Sequence, residues 1–420
     1  MATENYKAWS NVSASTIAFT VCFMVWMMFA VLGIPIQKTL GLNETELGIL
    51  QATPVLTGSL IRLPLGMLTD KFGGRVVFFV LMVSTIIPIW LISDGTAYWH
   101  YLVTGLFVGV AGGSFTVGIS YCARWFPKDR QGLAMGIFGA GNAGSALTKL
   151  VAPKIIKAFG WAMVPKVYAV GMAITALLFW MFTFDNPKHR EGKSVTVGEQ
   201  LAALKDPKVW KYCQYYSIVF GGYVALALWM TKYYVAEYGF SLETAGLLAA
   251  CFSLPGGVLR AIGGYYSDKY GAHTTTWWVL WISMIFLFFL SYPQTDLSIL
   301  TANGARTFHI GLNSTVFTVL MFSLGIAFAI GKASVFKYIS DDYPRNIGVI
   351  SGVVGMGGGM GGFILPIMFG ALVDLTGVRS TAFMLLFGIV WVSLLWMYWT
   401  EVRPVKLERG SPTAQQATTL

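Results

Sequence analysis

About a dozen apolar stretches near 20 residues long, separated by short charged connections, limit what this chain can fold into. Each matches the ~30 Å hydrocarbon core of a bilayer when helical, and a soluble core has no use for so many. Charged residues make up only 11% of the 420, against ~25% in soluble domains. The chain reads as an all-α polytopic membrane protein of twelve transmembrane helices, with the lipid bilayer as its solvent. Lys7 precedes an apolar run long enough to span, and no small-residue cleavage site leads to a soluble body. The first helix is therefore expected to stay.

A net charge of +10 raises nucleic acid as a partner, but the placement of the 29 Lys and Arg answers it. Most fall in connections on the side shared by both termini, which is the positive-inside pattern and makes that side cytoplasmic. No nucleic-acid partner is expected. Cys22, Cys122, Cys213 and Cys251 fall singly in apolar stretches, without the spacing of a disulfide framework or a metal site. No cofactor is expected. Nothing pairs a nucleophile with a base, and glycine-rich membrane helices are not phosphate loops, so the chain does not read as an enzyme.

The second constraint is internal repetition. Leu40–Arg75 and Tyr238–His273 align without a gap at an offset of 198, with 11 identities in 36 positions; chance does not give that. Both copies contain an arginine eight residues before an aspartate, Arg62 before Asp70 and Arg260 before Asp268. Gly132, Gly136, Gly139 and Gly141 recur at an offset of 216 as Gly348, Gly352, Gly355 and Gly357. The chain thus divides into a six-helix half (1–184), a polar linker (185–208), a second six-helix half (209–400) and a basic, then Ser/Thr/Gln-rich tail (401–420), which is expected to be disordered. Such a tandem has its pseudo-twofold axis along the membrane normal.

Eight helical residues place each arginine ~12 Å from its aspartate, well inside the membrane. A charge there costs ~3 kcal/mol or more and usually marks an ion or substrate path. If the halves face each other, Arg62 and Arg260 converge near the midplane. All 19 Asp and Glu lie in loops or at helix ends, so two guanidiniums without a carboxylate define a site for an anion. Arginine stays charged and presents a planar fork suited to a flat oxyanion. Asp70, Arg75 and Asp268 lie in the tight turns that end the second and eighth helices, where they are expected to hold a conformational state.

The turn Gly-x-x-x-Asp-Lys-x-Gly, present twice, resembles the signature of the major facilitator superfamily. Within it, Gly139-Ala-Gly-Asn-Ala-Gly144 leading to Pro153, Gly355-Met-Gly-Gly-Gly-Met-Gly-Gly362, Phe126-Pro127 and the two arginines make the chain similar to the nitrate/nitrite porter family. The resemblance implies a site formed by Arg62, Arg260, Asn142, Phe115, Tyr216 and Phe220, with Gly141, Gly355 and Gly357 lining it or serving as packing. Nitrate is planar and weakly hydrated: aromatic rings suit its faces, and guanidinium, phenol and amide donors suit its oxygens. Without the resemblance, Tyr216 and Phe220 read as an aromatic packing face.

Lys149 and Lys332 are further cations inside predicted helices. A lysine in a Gly-Lys-Ala context resembles the proton-linked branch of the family, and lysine, unlike arginine, can release its proton. The expectation is nitrate/proton symport, possible also for nitrite, in a bacterial inner membrane. Two readings of Lys149 stand open, a place in the proton or anion path and snorkelling to the outer interface. Electroneutral nitrate/nitrite antiport is the nearest alternative; porters of formate or oxalate and a non-transporting membrane sensor are more distant ones.

Overall fold

The computed structural model describes residues 2–127, 130–185, 197–302, 304–343 and 347–403. Most of the expected linker and nearly all of the expected disordered tail lie outside these residues. Nine helices among them are long and apolar enough to cross a membrane, and Leu242–Val258 with Arg260–Tyr270, bent by 46°, forms a tenth span. Together with the broken rods Glu44–Leu60 with Arg62–Phe72, and Gln131–Gly139 with Gly144–Phe159, which fall short of that length and apolarity, the described residues form twelve helical rods.

In chain order, helix 1 is Ala2–Trp26 continued by Phe29–Leu40, and starts well before the apolar run at Ser13. Helix 2 is Glu44–Phe72 broken at Ile61, helix 3 Gly74–Leu91, and helix 4 Tyr98–Val108 with Ser114–Ala123. Helix 5 is the Gln131–Phe159 rod and helix 6 is Met163–Phe182. Helix 7 is Pro207–Tyr216 with Tyr223–Tyr238, and helix 8 is the bent pair. Helices 9 to 12 are Ala272–Leu290, Ser314–Asp342, Ile347–Thr376 and Thr381–Met397. The linker contributes a short helix, Val197–Ala203. Asp206 then caps helix 7 through the Lys208 N–H. A hydrogen bond from the Tyr343 hydroxyl holds the Asp206 carboxyl below the usual carboxylate range.

The connection between helices 9 and 10 folds into an antiparallel ribbon of strands β1 (Thr295–Thr301) and β2 (Gly304–Ile310). Nearly every residue of both strands is exposed, so cross-strand hydrogen bonds rather than a core hold it.

The repeat has a direct structural outcome. Gly73 and Gly271, aligned at the offset of 198, take φ of 86° and 84°, a backbone that only glycine adopts easily, and turn the chain from helix 2 into 3 and from helix 8 into 9. Gly48 of helix 2 lies so close to the Pro366 carbonyl of helix 11 that a Cβ would overlap it, and its mate Gly246 of helix 8 does the same to the Lys149 carbonyl of helix 5. Each half thus presses its second helix onto the glycine-rich fifth helix of the other.

These contacts close one end of the molecule. On the face opposite the described chain ends, the Asp374 carboxylate of helix 11 accepts hydrogen bonds from the Glu44 and Thr45 N–H groups at 3.0 and 2.8 Å. Lys232 of helix 7 bridges Glu44 at 3.1 Å and Gln37 at 2.6 Å, and Lys157 of helix 5 meets Glu243 of helix 8 at 2.8 Å. At the face carrying the chain ends, the halves part around a cavity.

Candidate functional site

Both membrane arginines follow a helix break. Arg62 comes directly after Ile61 and Arg260 directly after Leu259, so each begins the second segment of its rod. The breaks turn both guanidiniums toward the axis between the halves, where they share one ring: Phe115 of helix 4 lies 5.9 Å from the Arg62 guanidinium carbon and 5.4 Å from that of Arg260. Phe220 of helix 7 backs Arg62 at 5.1 Å, and Phe336 of helix 10 backs Arg260 at 5.1 Å. A ring face attracts a desolvated cation by ~2 kcal/mol or more, which offsets part of the cost of holding the charges at this depth.

Arg62 is 6% exposed. Its Nη1 donates to the Gly355 carbonyl of helix 11 at 3.2 Å, and its Nε is buried without a partner. Among the described residues, neither Arg62 nor Arg260 forms an ion pair. The pair therefore carries uncompensated positive charge and a spare donor. Tyr216 lies within reach of both guanidiniums, stacks on Phe220 at 5.1 Å and 7°, and takes Phe336 edge-on at 5.0 Å. The wide π-helical turn Ser217–Gly222 lets those two rings stack. Gly358 gives Tyr216 room, since a Cβ there would overlap the phenol ring.

A cavity of ≈ 230 Å³ starts at Arg62, Phe115, Tyr216, Phe336 and Gly355 and runs past Gly66 and Met67 to Asp70. That volume is several waters at ~30 Å³ each, enough for a small planar anion with part of its hydration shell. The mouth lies at the face carrying the chain ends, the site at the blind end.

Sequence reasoning named most of this constellation, but not all its residues line the cavity: Arg260 stands behind the Phe115 and Phe336 rings, and Phe220 behind Arg62 and Tyr216. Gly141 packs on Phe19 of helix 1, and Gly357 on Cys213 of helix 7, so both serve helix contact. Asn142 is buried and donates its amide to the Gly139 carbonyl at 2.9 Å, while its backbone meets Gly257 of helix 8. Phe336 was missed. Its signal was its position one turn beyond Lys332 on the same face of helix 10.

Lys149 does not snorkel. It is fully buried and donates to the Ser145 carbonyl at 3.1 Å and to Ser253 Oγ of helix 8. Lys332, 1% exposed, donates to the Gly256 carbonyl and sits 3.6 Å from the centre of the Tyr223 ring. The Tyr223 hydroxyl bonds the Ser253 carbonyl at 2.8 Å and Ser145 Oγ at 3.2 Å. One tyrosine therefore links the buried lysines of the two halves, a role the sequence did not single out. Asp70 pairs with Arg124 and Asp268 with Lys337 at 3.6 Å within their own halves, and Arg75 pairs with Asp185 at the start of the linker at 3.1 Å.

Comparison with known proteins matches residues 14–312 to the Major Facilitator Superfamily. The chain is 39% identical over 407 residues to the probable nitrate/nitrite antiporter NarK1 of Thermus thermophilus, covering 94% of this chain and 92% of the relative. It is 30% identical to the nitrite extrusion protein of Bacillus subtilis over 96% of this chain and 97% of that one. With the probable nitrate transporter NarT of Staphylococcus carnosus the identity is 31%, over 93% and 96%. The fold matches the crystal structure of a bacterial homologue of the human lysosomal transporter Spinster, in an inward-facing and occupied conformation, with a TM-score of 0.71, 15% identity, and coverage of 97% and 99%. Two six-helix halves that close on one face and open on the other around a paired-arginine site are thus joined to full-length sequence likeness, and the chain belongs to the major facilitator superfamily and, within it, to the nitrate/nitrite porter family.

Proposed function

We propose that this protein carries nitrate, and with it nitrite, across a bacterial inner membrane by alternating access, with both termini in the cytoplasm. The observation that carries the proposal is the guanidinium couple without an ion-pair partner among the described residues, one from each half, flanking Phe115, which lines the cavity together with Arg62. A planar anion placed there takes in-plane donors from Arg62, Arg260 and Tyr216 and ring faces above and below. It also bridges the halves, so its charge lowers the repulsion that closure otherwise meets. The halves, 1–184 and 209–400, rock about the site.

Import is coupled to a proton, and the carriers of that proton are Lys332 and Lys149. Both are buried and linked through Tyr223, and a lysine is the cation that can shed its charge when transport requires it. Electroneutral exchange of nitrate for nitrite is the second reading, favoured by the likeness to the Thermus probable nitrate/nitrite antiporter.

Proteoliposomes separate the two. Symport predicts labelled nitrate uptake into vesicles without internal anion when an inward proton gradient is imposed. Uptake that starts only after nitrite is loaded inside, and ignores the gradient, overturns symport and leaves exchange. Competition by excess formate or oxalate that abolishes nitrate uptake would reassign the substrate.

A further inference from the structure

The duplication extends beyond the arginine pair, to the ends of the helices on the face carrying the chain ends, and there one position differs in kind. In the amino-terminal half, Arg75 at the start of helix 3 pairs with Asp185 just beyond helix 6, donates to the Trp180 carbonyl at 2.7 Å and lies over the Trp180 ring at 4.2 Å. Adding the offset of 198 to Arg75 gives His273, and adding 216 to Asp185 gives Glu401. These two also meet: His273 Nε2 lies 3.2 Å from Glu401 Oε2. A tyrosine stands near each pair, at positions that neither offset relates and with different partners. Tyr121 of helix 4 bonds Asn11 of helix 1 and the Phe184 carbonyl; in the other half Tyr338 of helix 10 bonds Glu401, which Lys211 of helix 7 joins at 2.6 Å.

We propose that His273 and Glu401 form a proton-binding site in the carboxy-terminal half, occupying the place where the amino-terminal half has a permanent ion pair. Arginine is charged at every accessible pH. Imidazole changes charge between about pH 5 and 8. Arg75 therefore ties helix 3 to helix 6 at all times, whereas His273 ties helix 9 to helix 12 by an ion pair only when protonated.

The groups around His273 support this. Glu401 is 11% exposed and receives Lys211, Tyr338 and, at 3.3 Å, the Tyr215 hydroxyl. Lys211 meets Glu401 Oε1 and His273 meets Oε2, so the two basic groups share one carboxylate. Helix 10 offers the Tyr338 ring 6.2 Å from the imidazole, and Tyr212 of helix 7 bonds Asp342 one layer away. At the turn before helix 9, Asp268 is engaged by Lys337, leaving Glu401 as the acid that His273 meets. His273 is 42% exposed along its side chain, so protons reach it from the aqueous face without passing the anion site. It is distinct from the buried lysines: it reports the pH of one face and carries nothing across.

The experiment is labelled nitrate uptake by the full-length protein in oriented proteoliposomes, with pH varied only on the face carrying the chain ends. Two variants bracket the wild type. His273→Arg copies the amino-terminal half and stays charged, and His273→Gln stays neutral. The expected result is that both lose the wild-type pH dependence between about pH 5 and 8. The Arg variant should hold the acid-limit rate and the Gln variant the alkaline-limit rate, about threefold apart, on the scale of a half-exposed ion pair. Glu401→Gln should abolish the difference between them. Variants that keep the wild-type pH profile, or that share one rate, overturn the proposal. Nitrate binding under equilibrium counterflow should stay intact in all three; its absence in the wild type would instead overturn the substrate assignment.

Discussion

The two halves are copies in framework and differ in where their charges are fixed. In the amino-terminal half Arg62 is buried and bound to a carbonyl of helix 11, and Arg75 is paired with Asp185 and stacked on Trp180. In the carboxy-terminal half Arg260 is partly exposed between Phe115 and Phe336, and the place of Arg75 is taken by a histidine. Of the two arginines, Arg62 is thus the more firmly held and serves as the reference against which Arg260 is compared.

The arginines test this most severely. Arg62→Lys and Arg260→Lys keep the point charge and lose the fork. Each should lower nitrate transport about a hundredfold, the scale of truncating one partner of a buried charge-assisted contact, while membrane insertion is unchanged. If Arg62 is the reference, its loss should also weaken nitrate binding in the absence of turnover more than the loss of Arg260 does. Labelled-nitrate binding and uptake measured side by side decide it; near-normal affinity in both variants removes the site.

The lysines come next. Lys332→Gln and Lys149→Gln should each abolish proton-driven accumulation while nitrate counterflow survives within about threefold, since neither lysine lines the anion cavity and a glutamine amide can keep part of the lost hydrogen bonding. Loss of counterflow with accumulation would place them in the anion path instead. Phe115→Leu should follow with about a fivefold loss of affinity, because one ring serves both guanidiniums and cation–π contacts at a buried ring are worth ~1–2 kcal/mol.

Much of this was legible from residue patterns because membranes impose a strict length on apolar helices and because the repeat could be aligned. The repeat located helix 2, which falls outside the nine plainly apolar helices because Arg62 and its break interrupt it. Phe115, Tyr216 and Phe220 were singled out through family resemblance, since with 29 Phe and 19 Tyr in the chain no periodicity separates a site ring from a packing ring. Phe336 and Tyr223 stayed hidden for that reason. The fate of Lys149 turns on Ser253, 104 residues away, and local sequence carries no such information. The β-ribbon was equally silent: with both faces exposed it has no buried face to impose alternation.

The smallest expected effect lies at the closed face, where the two seams between the halves are again related but unequal. On one, Asp374 of helix 11 caps the start of helix 2 from the opposite half, taking the Glu44 and Thr45 N–H groups and the Thr45 hydroxyl. On the other, helix 8 has its own Ser241 cap, as helix 2 has its own Asn43, and the ion pair from the opposite half among the described residues is the exposed Lys157–Glu243. A carboxylate on a helix N-terminus combines a cap with the helix dipole and is worth ~1 kcal/mol, whereas exposed ion pairs are screened by solvent and salt. Asp374→Asn should therefore shift the population toward the conformation open at this face by about fivefold, and Lys157→Gln by much less. Spin labels placed across each seam, read as distance distributions without nitrate, measure both shifts. Equal shifts would mean that the seams open as one surface; a larger shift for Asp374→Asn would mean that helix 2 and helix 11 hold the gate while helix 5 and helix 8 follow.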